Sequence, residues 1–312
     1  MTKLQPLQDR NFVATHVPNM NKIRSEGVVF TRAYTVGPKC APSRISMLTG
    51  RYASRNVYGS VEGNGQFGQT TSRTLVGVPS CKLTGADVTN TLQDAMKSAT
   101  FETIFAGKWH LSTRANGVAN FEDYAACTTQ VGASGFTNVG GTYEENIADA
   151  NLNSFTHNLE WCAATAIEYV ETAADAGKPF FLYLAPTAPH GPSIETALSS
   201  GNIWQTPENQ GANMLDVGSF STTMPNRSTI AARVPTTNNG NNINLDANLG
   251  AVWVDDALGA LIKVLEDKQI YDETLIIVTM DHGQSDNSVT PFPPRICSRT
   301  PMGCVAPPST HQ

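Results

Sequence analysis

Three stretches of the chain repeat one hydrophobic pattern, in which an amphipathic helix precedes a short apolar run and a polar loop. The helical stretches carry apolar residues three and four positions apart, whereas the apolar runs have the length of buried strands. We predict helices over 88–99, 161–174 and 249–265, and strands over 101–105, 179–184 and 274–279. Continuous apolar strands that alternate with helices are typical of an α/β fold with a mostly parallel central sheet and helices on both faces.

Each predicted strand leads into a loop that is rich in polar groups. These loops cover 107–110, 186–192 and 281–283. Ligands of open parallel sheets bind in the crevice at the carboxyl ends of the strands. We therefore expect the three loops to converge on one site.

The composition excludes some classes of protein. Charged residues make up only 15% of the 312 residues and the formal net charge is −6, which argues against a nucleic-acid partner. No run of 18 apolar residues occurs, so we predict no membrane span. The first ten residues lack the apolar region of a signal peptide. The six cysteines form no Cys-x-x-Cys pair, which argues against a zinc ribbon and leaves any disulfide pairing open.

Two stretches read as irregular. Residues 206–244 are rich in Asn, Thr, Gly and Pro, and we predict a long surface excursion there. Residues 288–312 contain six prolines and no hydrophobic period, which predicts a disordered tail.

The most informative stretch is Cys40-Ala-Pro-Ser-Arg44-Ile-Ser-Met-Leu-Thr-Gly-Arg51. Pro42 suits the first turn of a helix, which places Cys40 at the helix N-terminus. Free N–H groups and the helix dipole favour an anion at that position. Arg44 and Arg51 could return toward the same region.

This stretch resembles the signature of the type I, formylglycine-dependent sulfatases of the alkaline-phosphatase superfamily. The resemblance implies that a formylglycine-generating enzyme oxidises Cys40 to an aldehyde, which hydrates to a diol, and that Arg44 belongs to the site. One hydroxyl of the diol attacks sulfur and expels the alcohol, and the second then collapses to the aldehyde and releases sulfate. The alternative for Cys40 is a buried structural thiol, the usual fate of a free cysteine.

Two of the polar loops resemble further family signatures. The sequence Gly-Lys108-Trp-His110 is similar to a family motif in which the Lys holds a sulfate oxygen and the His orients the diol or assists proton transfer. The sequence Ala-Pro-His190-Gly-Pro is similar to a loop whose His binds sulfate or protonates the leaving group. On their own, Lys108 would be a surface residue and His190 part of a structural turn.

The third loop, Thr-Met-Asp281-His282-Gly, resembles the metal-binding turn of the family. The resemblance implies one divalent cation, Ca²⁺, with Cys40, Asp281 and His282 among its ligands. A simple turn after a strand is the alternative. Asp255 and Asp256 lie within the preceding predicted helix and are expected to be a structural or solvated pair rather than a metal site.

The chain also departs from the family pattern. Residues 18–51 match the family's lead-in helix and strand, but Asp9 stands alone where members have a buried strand that ends in paired Asp. After 283 there is no Lys-bearing segment or smaller subdomain. We therefore expect 1–287 to be a partial sulfatase catalytic domain and 288–312 a tail, with neighbouring strand edges exposed and the cation weakly held.

The predicted function is hydrolysis of a sulfate ester, from a sulfated small molecule or glycan, to an alcohol and sulfate. Three alternatives stay open. They are a phosphonate monoester or phosphodiester hydrolase of the same superfamily, a Cys–His hydrolase that uses Cys40 as a thiolate with His110 or His190, and an inactive fragment that binds sulfate esters. The family suggests a secreted, lysosomal or periplasmic location.

Overall fold

The computed structural model describes residues 15–30, 33–36, 39–55, 81–83, 89–112, 121–144, 157–191, 193–199, 224–234, 237–238, 241–242 and 245–282. Its α-helices are α1 (Pro18–Glu26), α2 (Cys40–Thr49), α3 (Leu92–Ser98), α4 (Phe121–Ala133), α5 (Leu159–Asp175), α6 (Ile194–Ser199), α7 (Arg227–Arg233) and α8 (Leu245–Asp267). Its strands are β1 (Glu102–Lys108), β2 (Asn138–Tyr143), β3 (Phe180–Ala185), β4 (Thr237–Asn238) and β5 (Asn241–Asn242), and single 3₁₀ turns cover Ala53–Arg55 and Tyr271–Glu273. Asp9, Gly283 and the predicted tail at 288–312 lie outside the described residues.

The central sheet has the strand order β2-β1-β3, and both pairings are parallel. β1 and β3 confirm two of the predicted strands, and the parallel pairing confirms the predicted α/β class. β2 was missed because its sequence, Asn-Val-Gly-Gly-Thr-Tyr, is not an apolar run. The two glycines let this strand lie directly against α5, since a Cβ on Gly141 would be 2.9 Å from Cys162 Cα.

Helices cover both faces of the sheet, as predicted. Adjacent residues of a strand point to opposite faces, and Ile104 and Phe105 of β1 accordingly belong to two different hydrophobic cores. Ile104 belongs to a core that also contains side chains of α5 and α8, including Trp253. Phe105 belongs to the second core, which also contains Ile45 of α2. This second core anchors the helix that begins at Cys40.

The predicted irregular excursion at 206–244 is wrong over its described part at 227–233, which forms α7. The Asn226 side chain caps this helix by accepting a hydrogen bond from Thr229 N at 2.9 Å. Arg227 is buried and donates to both carboxylate oxygens of Glu160 on α5, at 2.9 and 3.0 Å. A buried charge pair of this kind orders a segment whose composition alone predicts a loop.

The predicted strand at 274–279 is also wrong, since among the described residues this segment pairs with no strand. It is extended, but Leu275 and Ile277 are 85% and 75% exposed. Ile276 packs against the first core. The segment thus has the apolar composition of a buried strand, whereas strand formation depends on a neighbouring backbone that the local sequence does not specify.

Asp255 and Asp256 of α8 form structural contacts, as expected. The Asp255 carboxylate accepts hydrogen bonds from the backbone N–H groups of Asn19 and Met20 at the start of α1, at 3.1 and 2.6 Å. Asp256 pairs with Arg233 of α7. These contacts hold α1 and α7 against α8. Although α8 is long, none of the described helices combines the length and apolarity needed to cross a bilayer.

Gly107 is the tightest backbone approach in the sheet and yields a stability prediction. Its φ is +104°, and a Cβ there would lie 2.2 Å from the Ala185 carbonyl oxygen of β3. We expect Gly107→Ala to lower the free energy of unfolding by about 2 kcal/mol or more, because β1 and β3 must separate and the backbone is strained. Urea denaturation followed by circular dichroism measures this change.

Gly132 of α4 is the matched control, because a Cβ there meets no atom within 4 Å. Gly132→Ala should leave stability unchanged or raise it by about 0.5–1 kcal/mol. Equal effects of the two substitutions would contradict the close approach of β1 and β3.

Candidate active site

The local sequence explains why α2 begins at Cys40 and ends at Thr49. Pro42 lies in the first turn, where its missing N–H leaves no intrahelical hydrogen bond unmade. Gly50 ends the helix in the left-handed conformation, with φ of +65°, and its N–H donates to the Ser46 carbonyl at 2.9 Å. The signature therefore specifies a short helix whose N-terminus presents residue 40.

Cys40 meets the loop at 281–282 and the end of β1. Its Sγ lies 3.2 Å from His282 Nε2 and also hydrogen-bonds with His110. His110 has a φ of +60°, a left-handed conformation that few non-glycine residues adopt. Ser43 Oγ donates a hydrogen bond to the Asp281 carbonyl and so ties α2 to the same loop.

Arg44 connects the three segments of the site. Its Nε and Nη2 lie 3.2 and 3.1 Å from Asp281 Oδ2, and its Nη1 donates to the Lys108 carbonyl at 2.6 Å. The side chain is 6% exposed. A buried guanidinium needs acceptors for its donors, and here the acceptors come from the end of β1 and from the loop that follows residue 280.

The surroundings of Cys40 shift the pKa of its thiol. Burial raises the pKa, but hydrogen bonds with His110 and His282 and the positive charge of Lys108 lower it by more, to about 5. Lys108 is buried at the carboxyl end of β1, so its charge acts through a poorly screened medium. An unmodified Cys40 is therefore a thiolate at neutral pH.

The structure brings six of the seven predicted site residues together: Cys40, Arg44, Lys108, His110, Asp281 and His282. His190 is not among these contacts. It lies on the loop after β3, its side chain is exposed, and its Nδ1 is 2.9 Å from the Gly191 carbonyl oxygen. Its role stays a prediction. Arg51 follows the far end of α2 and is exposed, and its return toward Cys40 stays a prediction.

Two residues near the site were missed by sequence reasoning. Ser43 stands in the signature itself, so its position was a signal that could have been used. Glu144 follows β2, and its Oε1 accepts a hydrogen bond from Ser112 N at 3.1 Å. Burial raises the pKa of Glu144, whereas the nearby charges of Lys82 and His110 lower it. No sequence pattern marks Glu144, because its proximity to His110 arises only in the folded sheet.

The described metal donors do not fit Ca²⁺. Cys40, Asp281 and His282 each offer one ligand atom, and these atoms lie within 4.8 Å of one another. Only one of the three is an oxygen, whereas Ca²⁺ takes six to eight oxygen ligands. Arg44 also neutralises much of the Asp281 charge.

One family model matches a stretch of the chain that includes all the described elements and site residues. A family model described as Sulfatase matches residues 9–295. The chain belongs to the sulfatase family. Members of this family imply a metal ion and a formylglycine nucleophile, in agreement with the resemblance seen in the signature at Cys40.

The curated relatives are sulfatases. The chain is 28% identical to N-acetylgalactosamine-6-sulfatase of Canis lupus familiaris, over 56% of this chain and 35% of the relative. It is 24% identical to N-acetylgalactosamine-6-sulfatase of Homo sapiens, over 85% of this chain and 45% of the relative. Identity to arylsulfatase G of Canis lupus familiaris is 26%, over 64% of this chain and 40% of the relative. The chain thus spans less than half the length of these relatives.

Solved structures also align with the chain. The protein yidJ from Bacteroides fragilis has a TM-score of 0.48 and 19% identity, over 82% of this chain and 54% of that protein. The structure of Ps i-CgsB has a TM-score of 0.44 and 21% identity, over 82% of this chain and 51% of that one.

The low pKa of Cys40 predicts the pH dependence of its reactivity. A depressed pKa means that the thiolate is present above about pH 5 in the folded chain and is lost as the pH falls through that value. The alkylation rate of Cys40 with iodoacetamide, followed by mass spectrometry of its peptide, should therefore have its midpoint near pH 5. Replacing His110 by Ala should move the midpoint upward.

Cys162 provides an internal control, because burial raises the pKa of this thiol to about 12. It should stay unalkylated until the chain unfolds. A Cys40 midpoint above pH 8, as for an unperturbed thiol, would contradict the described contacts.

Proposed function

We propose that this chain is the catalytic part of a sulfuric ester hydrolase that acts on a sulfated small molecule or glycan. In this proposal a formylglycine-generating enzyme converts Cys40 to formylglycine, and residues 1–287 form the catalytic unit. The observation that carries the proposal is the position of residue 40 at the N-terminus of α2, within reach of Lys108, His110 and His282. The names of the relatives support sulfate esters as the substrate class.

The charges around residue 40 favour an anionic substrate. Once the thiol is replaced by a neutral diol, the charges that the described residues place near residue 40 include those of Arg44, Lys108 and Asp281. Arg44 and Asp281 pair with each other, and the Lys108 ammonium, whose charge lowers the pKa of Cys40, would likewise attract an anion at residue 40. The first N–H groups of α2 add donors and a favourable dipole. A sulfate group bound here would place its sulfur beside the attacking oxygen.

The two histidines supply proton transfer at residue 40. As one diol hydroxyl attacks, the new O–S bond forms, the S–O bond to the alcohol breaks, and His110 or His282 accepts the hydroxyl proton. The leaving alcohol takes up a proton, which is the role proposed for His190. The second hydroxyl then loses its proton, the C=O bond re-forms, and the C–O bond to sulfate breaks. Water hydrates the aldehyde for the next cycle.

The family resemblance suggests that the modified chain binds Ca²⁺, and this binding remains a proposal. With a diol at residue 40, the described residues would offer oxygens from residue 40 and Asp281 and a nitrogen from His282. The remaining oxygen ligands would have to come from outside the described residues. When bound, such an ion would supply positive charge to the sulfate. No step above depends on it.

A second candidate is a Cys–His hydrolase that uses the Cys40 thiolate itself. The observation that favours it is the pKa of about 5, since a low pKa and adjacent histidines are the features of an activated thiol nucleophile. The sulfatase proposal explains more of the site, because the signature around Cys40 and the family match both belong to sulfatases. The two candidates differ in the chemical state of residue 40.

The test is to produce the chain together with a formylglycine-generating enzyme and to measure turnover of p-nitrophenyl sulfate and of a phosphonate monoester. We expect an aldehyde in the residue 40 peptide and faster turnover of the sulfate. Lys108→Ala should lower kcat by about 10²–10³, because a preorganised charge at the reacting group is lost. Mass spectrometry and steady-state kinetics give both readouts.

Lys178 offers the matched control. It lies at the opposite, amino-terminal end of β3, is 56% exposed and pairs with Glu102 at 2.5 Å. Lys178→Ala should leave kcat unchanged. An intact thiol in a hydrolytically active chain would favour the thiolate candidate, and a modified chain that turns over neither ester would refute the hydrolase proposal.

A further inference from the structure

The possible metal ligands around residue 40 are unusual for a family in which the resemblance implies Ca²⁺. Cys40 Sγ lies 3.2 Å from His282 Nε2, and His282 Nε2 lies 3.8 Å from Asp281 Oδ1. All three residues place a ligand atom within 4.8 Å of the others. The donors are one sulfur, one imidazole nitrogen and one carboxylate oxygen. This set suits a borderline-soft cation rather than a hard one.

Two of the three separations between these donors are close to those expected for tetrahedral zinc. With Zn–S bonds of about 2.3 Å and Zn–N or Zn–O bonds of about 2.0–2.1 Å, tetrahedral angles put neighbouring donors about 3.4–3.6 Å apart. The observed distances of 3.2 and 3.8 Å bracket this value. A zinc ion can therefore enter between Cys40 and His282 with small shifts of the side chains, in place of the direct contact between their sulfur and nitrogen.

The carboxylate is oriented for this role by its neighbours. Arg44 holds Oδ2 of Asp281 through two contacts of 3.2 and 3.1 Å. Among the described residues, Oδ1 accepts a hydrogen bond from His282 N at 2.9 Å, and an ionised carboxylate oxygen has a further lone pair. Oδ1 is thus the oxygen available to a cation on the side of His282. Outer contacts of this kind fix ligands and tune metal affinity.

We propose that the chain whose residue 40 is still a cysteine binds one Zn²⁺ through Cys40 Sγ, His282 Nε2 and Asp281 Oδ1, and binds it in preference to Ca²⁺. Three protein donors leave the fourth tetrahedral position to water, as in catalytic zinc sites. The proposal does not depend on the hydrolase proposal, because it concerns the chain before modification.

Modification of residue 40 would then change the cation preference of the site. Conversion to formylglycine removes the sulfur donor and the negative charge of the coordinated thiolate. Among the described residues, Asp281, Arg44 and Lys108 carry charge near the site, and loss of the thiolate makes their surroundings one unit more positive, which weakens the binding of zinc. The unmodified and modified chains should therefore differ in zinc affinity, and zinc should protect the unmodified thiol from electrophiles.

The experiment uses the full chain produced without a formylglycine-generating enzyme, with an intact Cys40 thiol verified by mass spectrometry. Isothermal titration with zinc chloride and with calcium chloride should show one zinc per chain and an affinity at least about 100-fold above that for calcium. Zinc, and not calcium, should suppress alkylation of Cys40. Cys40→Ser should weaken zinc binding about 100-fold, because the soft donor is lost.

Cys297→Ser/Cys304→Ser is the matched control, since it removes two other cysteines and leaves the three proposed ligands in place. Its zinc affinity should equal that of the parent chain. X-ray absorption at the zinc edge of the parent chain keeps the test valid if Cys40→Ser fails to fold, and it should show one sulfur at about 2.3 Å. Zinc binding lost with the control pair, no sulfur at the metal, or calcium bound as tightly as zinc would each overturn the proposal.

Discussion

The candidate site depends on the hydrogen bonds and the ion pair that the buried guanidinium of Arg44 makes. Its donors meet the Asp281 carboxylate and the Lys108 carbonyl, so one side chain joins α2, the end of β1 and the loop at 281–282. Removing either acceptor would leave a poorly solvated charge, which is strongly destabilising. The three segments are therefore constrained to one arrangement, and that arrangement sets the distances from residue 40 to the groups around it.

The two hydrophobic cores provide the rigid frame for this contact. Ile104 and Phe105 send adjacent side chains of β1 to opposite faces, and the core that contains Phe105 also holds Ile45 of α2. The end of β1 and the start of α2 are thus fixed by the same packed side chains. A rigid frame of this kind is what a polar site at the carboxyl ends of parallel strands requires.

Sequence reasoning predicted the elements whose signals are local. The apolar runs of β1 and β3 and the periodic helices α5 and α8 are readable from short windows, and the signature at Cys40 predicts α2 through Pro42 and Gly50. β2 escaped prediction because its glycines are selected by contact with α5. The segment at 274–279 has a strand's composition, but strand pairing is a non-local property.

The candidate site likewise has features that the sequence predicts and features that depend on the fold. The resemblance identified Cys40, Lys108 and Asp281 as residues of one centre, and the fold brings them together. It did not predict which groups accept the hydrogen bonds of Arg44, because the two acceptors, on Lys108 and Asp281, are 64 and 237 residues away in the chain. Nor could it predict that the thiol state of residue 40 presents a sulfur–nitrogen–oxygen donor set, since that depends on the side-chain distances.

The most direct measurement of this account is a double-mutant cycle between Arg44 and Asp281, with Arg44→Met, Asp281→Asn and the double variant compared by urea denaturation. If the guanidinium holds the site together, the two substitutions should couple by about 1–3 kcal/mol in the free energy of unfolding, because each single change leaves a buried partner uncompensated. Strictly additive effects would contradict the account, since they would mean that Arg44 and Asp281 do not meet in the folded chain.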